Sequence, residues 1–254
     1  MNVTDLLSAM ELSKSTAVNQ RVPKKLFIEN GAKTTADKRQ INEGIDEIYW
    51  LATIKPSTVG VPEYRDEMRE YLEIAILNVT VRSGANARRI AEFVHRAIPY
   101  PVWLLLAQDK GIKISLAHKR WAQNEKSKVV LEGEIVEIDL ESHSKATLEL
   151  EKRFLDGLSL TNQRRSNIMI LYQSWMDALL AWQAALLTGQ FAQARTTEQA
   201  IIRRESLIKY KHLISQIETL RSRAIREHQI SRLIEINMEI KRLEIKLDEV
   251  KANI

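Results

Sequence analysis

Turn-forming residues are confined to the first part of this 254-residue chain. All five prolines lie before residue 102, and no glycine follows Gly189. Because proline and glycine are the residues that most often end helices and strands, little in the later part of the chain could interrupt a long helix. The distribution therefore predicts a first region of short elements and turns, followed by a region of long helices.

The two regions meet near residue 142, between the strand-like "VVLEGEIVEIDL" and the helical "ESHSKATLELEKRFL". We predict a flexible N-terminus over residues 1–21, an α+β domain over 22–142, and a helical bundle with a C-terminal coiled-coil helix over 143–254. The fold class is α+β: an N-terminal mixed-sheet domain of α/β type, followed by an all-α helical and coiled-coil region.

Hydrophobic patterning in the first region favours a mixed sheet covered by a few helices. Bulky and β-branched residues predict strands in "IDEIYWLATI", "YLEIAILNVTV", "VWLLLAQDKGIKISLAH" and "KVVLEGEIVEIDL". A threonine cap with an aspartate three positions later predicts a helix in "TTADKRQINEG", and helical spacing predicts another in "NARRIAEFVHRAI". We interpret "PKKLFIENG" as a short connecting segment and "KPSTVGVPEY" as a loop.

The second region contains one long apolar helix and a heptad repeat. "TNQRRSNIMILYQSWMDALLAWQAALLTG" is predicted to be a helix that is capped by Thr161 or Asn162 and ended by Gly189. Apolar residues near the C-terminus then recur at spacings of three and four, which predicts a coiled-coil seam for homo-oligomerisation: Leu233, Ile236, Ile240, Leu243, Leu247 and Val250. An earlier apolar seam is out of phase with it, so a hairpin of two helices and one kinked helix both stay open.

Composition narrows the compartment and the chemistry. The chain has no cysteine, which excludes disulfides, thiolate metal sites and a thiol nucleophile. The N-terminus does not resemble a signal peptide, and the apolar runs are far shorter than the roughly 20 residues that span a bilayer. We expect a cytoplasmic protein without a membrane partner.

Positive charge is concentrated in the second region. Residues 143–254 hold 18 Lys/Arg against 13 Asp/Glu, which accounts for the whole net charge of +5. Arginine predominates, and its planar fork suits phosphates and carboxylates. DNA or an acidic protein surface is therefore a candidate partner, although intrahelical pairing with glutamates is an alternative. The candidate residues are Arg203, Arg204, Arg221, Arg223, Arg226 and Arg232.

Catalytic candidates are few. His95 stands shortly before Pro99 and Pro101, at the predicted end of a helix, where the helix dipole stabilises a histidine whatever the function. We favour a structural role for His95 over acid–base catalysis. A metal-dependent nuclease would place Glu73, His95 and Lys113 near one sheet edge, but no acid-x-lysine triplet stands on those strands. The histidines are isolated and no nucleotide-binding motif occurs, so we predict no metal and no cofactor.

Two segments could contact nucleic acid. Lys55, Ser57 and Thr58 lie in the proline-containing loop, where hydroxyls and backbone N–H groups can hold a phosphate. A second set, Lys119, Arg120 and Trp121, combines cations with an aromatic ring at a strand end. For both segments the structural alternative is favoured: a stiffened connection for the loop, and a tryptophan covering a sheet edge for the second set.

Several long segments resemble, in order, a bacterial family catalogued as domain of unknown function 4391. They include "VPKKLFIENG", "TTADKRQINEGIDEIYWLATIKPSTVGVPEYRDE", "ISLAHKRWAQNE", "YQSWMDALLAWQAALLTGQF" and "REHQISRLIEINMEIKRLE". The resemblance implies no reaction. It does imply a setting, because similar proteins tend to be encoded beside DNA methyltransferases and helicase-type restriction subunits.

We therefore expect a non-catalytic accessory subunit of a DNA-modification or phage-defence complex. Its expected partners are a DNA methyltransferase and a helicase-type subunit, with DNA phosphates as a further contact. The alternatives are a metal-dependent nuclease and a stand-alone nucleic-acid-binding protein.

Overall fold

A computed structural model gives the structure of residues 2–32, 34–109, 111–123, 125–141 and 147–254, except for the side chains of residues 125–127 and 141. The chain divides into two compact units, Met1–Leu179 and Leu180–Ile254. The boundary that the sequence predicts near residue 142 falls in a stretch, 142–146, outside the described residues.

The first unit contains short helices and a sheet. Its helices are α1 (Val3–Ala9), α2 (Lys24–Gly31), α3 (Thr35–Gly44), α4 (Pro56–Val59), α5 (Ala87–Ala97) and α6 (Leu148–Leu158). Its strands are β1 (Ala17–Arg21), β2 (Ile45–Ile54), β3 (Tyr64–Arg65), β4 (Glu70–Tyr71), β5 (Ile74–Val81), β6 (Val102–Gln108), β7 (Gly111–Ala122) and β8 (Glu125–Glu141).

A mixed sheet forms the centre of this unit. Among the described residues, six strands pair in the order β1-β2-β5-β6-β7-β8, and β3 pairs with β4 in a separate ribbon. The β5–β6 pair is parallel, and the other neighbours in the sheet are antiparallel. A parallel pair needs a crossover connection, which α5 provides. The predicted α+β class with a mixed sheet is confirmed.

Helices α2, α3 and α5 cover one face of the sheet. Leu77 of β5 and Leu104 of β6 belong to one buried cluster with Phe27, Ile41 and Phe93 from these helices. On the opposite face, Ile76 of β5 and Trp103 and Leu105 of β6 are also buried. Burial on both faces explains why these strands have nearly continuous apolar sequences rather than a clean alternation.

Two sequence-based interpretations need correction. The "PKKLFIENG" segment is helix α2, whose Phe27 and Gly31 are buried. The proline-containing loop includes the short helix α4. Residues 1–21, for which we predict flexibility, carry β1 and α1, and α1 has a buried Leu6 and an Asn2 capping box. Local patterning was weak at each place because these elements are short.

Helix α7 (Ile168–Thr188) begins later than the sequence indicates. Thr161 and Asn162 lie in a 3-10 turn, and the Asn167 side chain accepts the hydrogen bond from the N–H of Ile170. The predicted end is correct, because Gly189 follows the helix with a φ of +77°. This left-handed conformation is one that glycine adopts without strain.

The second unit contains the end of α7 and two long helices, α8 (Thr197–Arg226) and α9 (Ile230–Lys251). Ile217 and Leu220 of α8 form a buried cluster with Ile236 and Ile240 of α9. The three-residue break between α8 and α9 is the point where the heptad phase changes, so the structure selects the hairpin. No helix among the described residues is long and apolar enough to cross a membrane.

Candidate functional site

His95 is a core residue and not a group at a sheet rim. It lies in the last turn of α5 and is only 1% exposed. Its Nε2 is 3.0 Å from the Ser115 hydroxyl on β7, while its Nδ1 has no hydrogen-bond partner among the described residues. Burial, followed by the nearby charge of Lys119, lowers the pKa of His95 well below its ordinary value. The imidazole is therefore neutral near pH 7.

Lys119 fixes the two-proline corner between α5 and β6. Its Nζ donates to the carbonyl oxygens of Ile98 and Tyr100, each at 2.5 Å, and the residue is 3% exposed. Burial lowers its pKa well below the ordinary value. The expectation that Lys119 contacts nucleic acid is wrong, because its amine is enclosed and already engaged with the backbone.

The neighbours of Lys119 are half-buried at the end of β7. Arg120 Nη1 donates to the carbonyl of Trp121 at 3.1 Å. The backbone N–H of Trp121 donates to the carbonyl of Met68 at 2.7 Å, which ties β7 to the turn between β3 and β4. The backbone at the end of β7 therefore holds the turn between β3 and β4 in place.

Glu73 and Lys113 lie in different parts of the sheet. Glu73 pairs with Lys55 at 3.4 Å, and Lys113 pairs with Asp139 at 2.8 Å. Through the strand registers, Lys113 is level with Val79, six residues along from Glu73. Six residues of strand span about 20 Å.

This separation removes the constellation that a metal-dependent nuclease would need, because Glu73, His95 and Lys113 do not converge. Among the described residues, no group of three or more histidine, aspartate or glutamate side chains is placed to hold a metal ion.

The candidate phosphate loop is organised around its own backbone. The Thr58 hydroxyl is 3.0 Å from both the N–H and the carbonyl oxygen of Lys55, closing the first turn of α4. Lys55 and Ser57 are exposed. The Lys55 amine pairs with Glu73. Of the three candidate residues in this loop, Ser57 is therefore the one whose side chain makes no contact that is seen among the described residues.

A chain of hydrogen-bonded side chains joins β4, β7 and α7, and the sequence analysis did not find it. The Tyr71 hydroxyl contacts His118 Nδ1 at 2.5 Å, and His118 Nε2 contacts Gln173 Oε1 at 2.7 Å. Gln173 Nε2 donates to Asp177 at 2.8 Å, and Asp177 pairs with Arg164. Because Gln173 Oε1 can only accept, Nε2 carries the His118 proton and Tyr71 donates to Nδ1.

An ion pair and a second tyrosine lie beside this network, since Glu132 is opposite His118 in the β7–β8 register and the Tyr172 ring contacts His118. Arg69 donates twice to the Glu132 carboxylate, both at 2.7 Å, and this fork lowers the pKa of Glu132. The Tyr172 hydroxyl donates to the Val102 carbonyl and accepts from the Ala117 N–H. It therefore bridges β6 and β7 just beyond the last pair of their ladder.

No local motif reports this network, because its members are far apart in sequence and meet only after the sheet and α7 have assembled. Both ring nitrogens of His118 are engaged within the protein. The arrangement holds three elements in register, and His118 is not presented as a free base.

The basic residues of the hairpin differ in what they contact. Arg203 donates to the carbonyls of Ala192 and Ile254, and Arg221 pairs with Glu244 at 2.8 Å. Arg204 is half-buried and also has an interaction within the protein. The remaining candidates are exposed around the turn of the hairpin, and we call them the hairpin tip: Arg223, Arg226 and Arg232.

The heptad residues pack within one chain. Ile236, Ile240 and Val250 are buried, and the others are half-buried: Leu233, Leu243 and Leu247. Leu243 and Leu247 pack on the cluster that α9 forms with α8. The seam that was predicted to join two copies is therefore occupied by a helix of the same chain.

Comparison with known proteins identifies a family but no activity. Neither curated proteins nor solved structures include a match to the chain. A family model described as a domain of unknown function (DUF4391) matches residues 10–247, which covers almost the whole of both units. The chain therefore belongs to the DUF4391 family.

Proposed function

We propose that this protein is a non-catalytic interaction subunit of a bacterial DNA-modification or phage-defence complex, and that the hairpin tip is a contact surface for its partner. The observation that carries the proposal is the exposed arginine group at the turn between α8 and α9. Arg223 and Arg226 end α8, and Arg232 stands in the first turn of α9.

The composition of the tip suits recognition of an acidic surface. Guanidinium groups bind carboxylates or phosphates in a bidentate manner. Ile225 and Ile230 are exposed beside these arginines. Arginine next to apolar side chains is typical of protein interfaces. Stabilisation of a helix end by cations applies to Arg223 and Arg226 but not to Arg232, which lies near a helix N-terminus and interacts electrostatically with Glu227.

The genes that tend to lie beside similar proteins, as the family resemblance implies, suggest the class of partner. A DNA methyltransferase or a helicase-type subunit is a large protein that itself holds DNA. The hairpin tip could contact an acidic face of such a subunit or the phosphates of the DNA that it holds.

The test is capture of partners from the native host with a tagged full-length chain, before and after nuclease treatment. We expect a methyltransferase or a helicase-type subunit to remain bound after nuclease treatment. The triple variant Arg223→Glu, Arg226→Glu, Arg232→Glu should lose that subunit. The matched control Lys14→Glu, Lys38→Glu, Lys152→Glu makes the same change in charge at exposed positions of the first unit and should retain it.

Three outcomes would count against the proposal. Capture that the tip variant leaves unchanged would place the contact surface elsewhere. A chain recovered without any partner would remove the interaction role. Magnesium-dependent DNA cleavage by the purified chain, lost in Glu73→Ala, would show that the protein is a metal-dependent nuclease instead.

A stand-alone nucleic-acid-binding role is the second candidate. The same exposed arginines favour it, because phosphate contacts dominate affinity for DNA and need no base-specific motif. Loss of captured partner on nuclease treatment, together with direct DNA binding by the purified chain, would select this candidate.

A further inference from the structure

Helix α9 has a second apolar face that α8 does not cover. It consists of four exposed side chains, Ile230, Ile234, Met238 and Ile245. Their spacings of four, four and seven residues place them on one side of the helix. At 100° per residue, this side is roughly 150° away from the seam that packs on α8. We call it the outer face of α9.

Burial shows how different the two faces are. Ile234 is 55% exposed, whereas Ile240 on the seam is 8% exposed. A single isoleucine at the surface is unremarkable, but a row of four along a 22-residue helix is the pattern of a helix that packs on both sides.

Charge along this face is self-complementary. Glu235 and Arg242 are both exposed, lie seven residues apart and therefore share one edge of the outer face. Neither has an ion-pair partner among the described residues. In an antiparallel pair of identical helices related by a two-fold axis, the same edges meet, so the acidic position of one helix faces the basic position of the other.

We propose that a second copy of this chain docks antiparallel on the outer face of α9. Ile234 packs against the partner's Ile245, and the two-fold axis places the reciprocal pair on the other side. Glu235 pairs with the partner's Arg242, again twice. Met238 and the aliphatic stem of Lys241 lie nearest the axis.

The second copy is favoured over other occupants by this pairing. The apolar row offers nothing to DNA phosphates. An unrelated protein would need its own base opposite Glu235 and its own acid opposite Arg242, whereas a second α9 has both at the correct spacing. The closed symmetry also stops assembly at two chains.

Charge reversal in the purified full-length chain provides the sharpest test, with mass measured by sedimentation over a concentration series. Glu235→Arg and Arg242→Glu should each raise the dissociation constant of the dimer about tenfold or more, because two attractive pairs become repulsive. The double variant should regain the wild-type constant. An equal mixture of the two single variants should also form dimers, because each reversed residue then meets its opposite charge.

The apolar contact has a matched control in α8. Ile234→Asp should abolish or greatly weaken the dimer, whereas Ile202→Asp, at a position that is 54% exposed, should leave the dissociation constant unchanged. Circular dichroism of both variants should match that of the wild type, since neither side chain is buried.

The register can be tested with cysteines, since the natural chain has none. In one helix, residues 234 and 245 are about 16 Å apart, too far for a disulfide within one chain. The variant Ile234→Cys, Ile245→Cys should therefore form a covalent dimer on oxidation, and Ile202→Cys should not.

A wild-type chain that stays monomeric throughout the concentration series would overturn the proposal. So would a dimer whose mass is insensitive to Ile234→Asp, or charge reversals that neither the double variant nor the mixture rescues. All these measurements use the purified chain alone, so their failure is distinguishable from failure to capture a methyltransferase or helicase-type subunit through the hairpin tip.

Discussion

The buried polar side chains of the first unit mainly satisfy the protein's own backbone. Lys119 caps the carbonyls of Ile98 and Tyr100 at the corner where proline residues remove the usual helix and strand partners. Tyr172 does the same at the point where the β6–β7 ladder ends. These side chains are polar because the chain changes direction inside the core.

Replacement of Lys119 by methionine tests this role. Lys119→Met keeps most of the side-chain volume but leaves two enclosed carbonyls without a donor. We expect the free energy of unfolding to fall by about 2–4 kcal/mol, measured by urea denaturation. Lys152→Met, at an exposed position, should change it by less than about 0.5 kcal/mol. Equal effects would mean that the corner carbonyls do not depend on Lys119.

His95 should make stability depend on pH. Because its folded-state pKa is depressed, the unfolded chain takes up a proton below about pH 6.5 while the folded chain does not. Its contribution is therefore complete above that pH and is lost as the pH falls, at up to about 1.4 kcal/mol per pH unit. His95→Gln should show a shallower decline between pH 6.5 and 5 than the wild type.

The control for this measurement is His228→Gln, which changes an exposed histidine. It should keep the wild-type slope. Identical slopes in all three proteins would show that His95 is protonated as readily in the folded chain as in the unfolded one.

Sequence reasoning at the residue scale was right about the place of His95 at a helix end and wrong about the exposure of Lys119. Helical spacing and the following prolines place His95 at a helix end without tertiary information. The local sequence around Lys119 is polar and looks like a solvated strand end. Its enclosure depends on Ile98 and Tyr100, which are about 20 residues earlier, and no local pattern reports that contact.

At the scale of elements, close packing of α2 on α5 holds the helical layer against the sheet. A Cβ added at Gly31 would lie 2.6 Å from the Phe93 carbonyl oxygen and 3.2 Å from the Ala97 Cβ. Phe93 O belongs to the backbone of α5, so a side chain at Gly31 must push the two helices apart. The glycine is there for close approach and not for a turn.

Gly31→Ala should therefore destabilise the first unit by about 1–3 kcal/mol, despite the higher helix propensity of alanine. Gly44→Ala makes a useful comparison, because its added Cβ would meet only side-chain atoms, at 3.0 and 3.2 Å. We expect the smaller loss for Gly44→Ala. Thermal unfolding followed by circular dichroism measures both, and a stabilising Gly31→Ala would contradict the packing argument.

The heptad seam of α9 should contribute to the stability of the hairpin and not to oligomer formation. The pair Ile240→Ser, Leu247→Ser removes apolar side chains that pack on α8, and we expect a loss of about 3–6 kcal/mol in the stability of the second unit. Urea denaturation measures that loss. Ile202→Ser, at an exposed position of α8, should cost less than about 1 kcal/mol. Equal losses would mean that Ile240 and Leu247 do not contribute to packing on α8.

Sequence patterning predicted most elements of this fold because the long ones carry strong periodicity. Spacing and caps identified strands β2, β5, β6, β7 and β8, helices α3 and α5, and the late helices, but not β1. The helix on which the heptad seam packs could not be predicted. Spacings of three and four residues occur whether the partner is another chain or the preceding helix. A change of heptad phase was the only signal of the hairpin, and it also fits a kink.

For the molecule as a whole, the two units differ in charge as well as in architecture. Residues 1–179 hold 25 Lys/Arg against 24 Asp/Glu, and residues 180–254 hold 13 against 9, so most of the net charge of +5 lies in the second unit. Several cations of the second unit are engaged internally, as with Arg203 and Arg221. The hairpin tip carries three exposed arginines, Arg223, Arg226 and Arg232, that are available to a partner.

This distribution predicts weak, salt-dependent binding of duplex DNA by the purified chain. Each arginine that neutralises a phosphate contributes about 0.9 to the slope of log K against log salt concentration. Replacing Arg223, Arg226 and Arg232 with glutamine should therefore reduce the slope by about 2.7, as measured by fluorescence anisotropy. Lys14→Gln, Lys38→Gln, Lys152→Gln removes the same charge from the first unit and should leave the slope nearly unchanged. Equal reductions in the two variants would show that DNA responds only to net charge, and undetectable binding at low salt would assign the hairpin tip to an acidic protein surface.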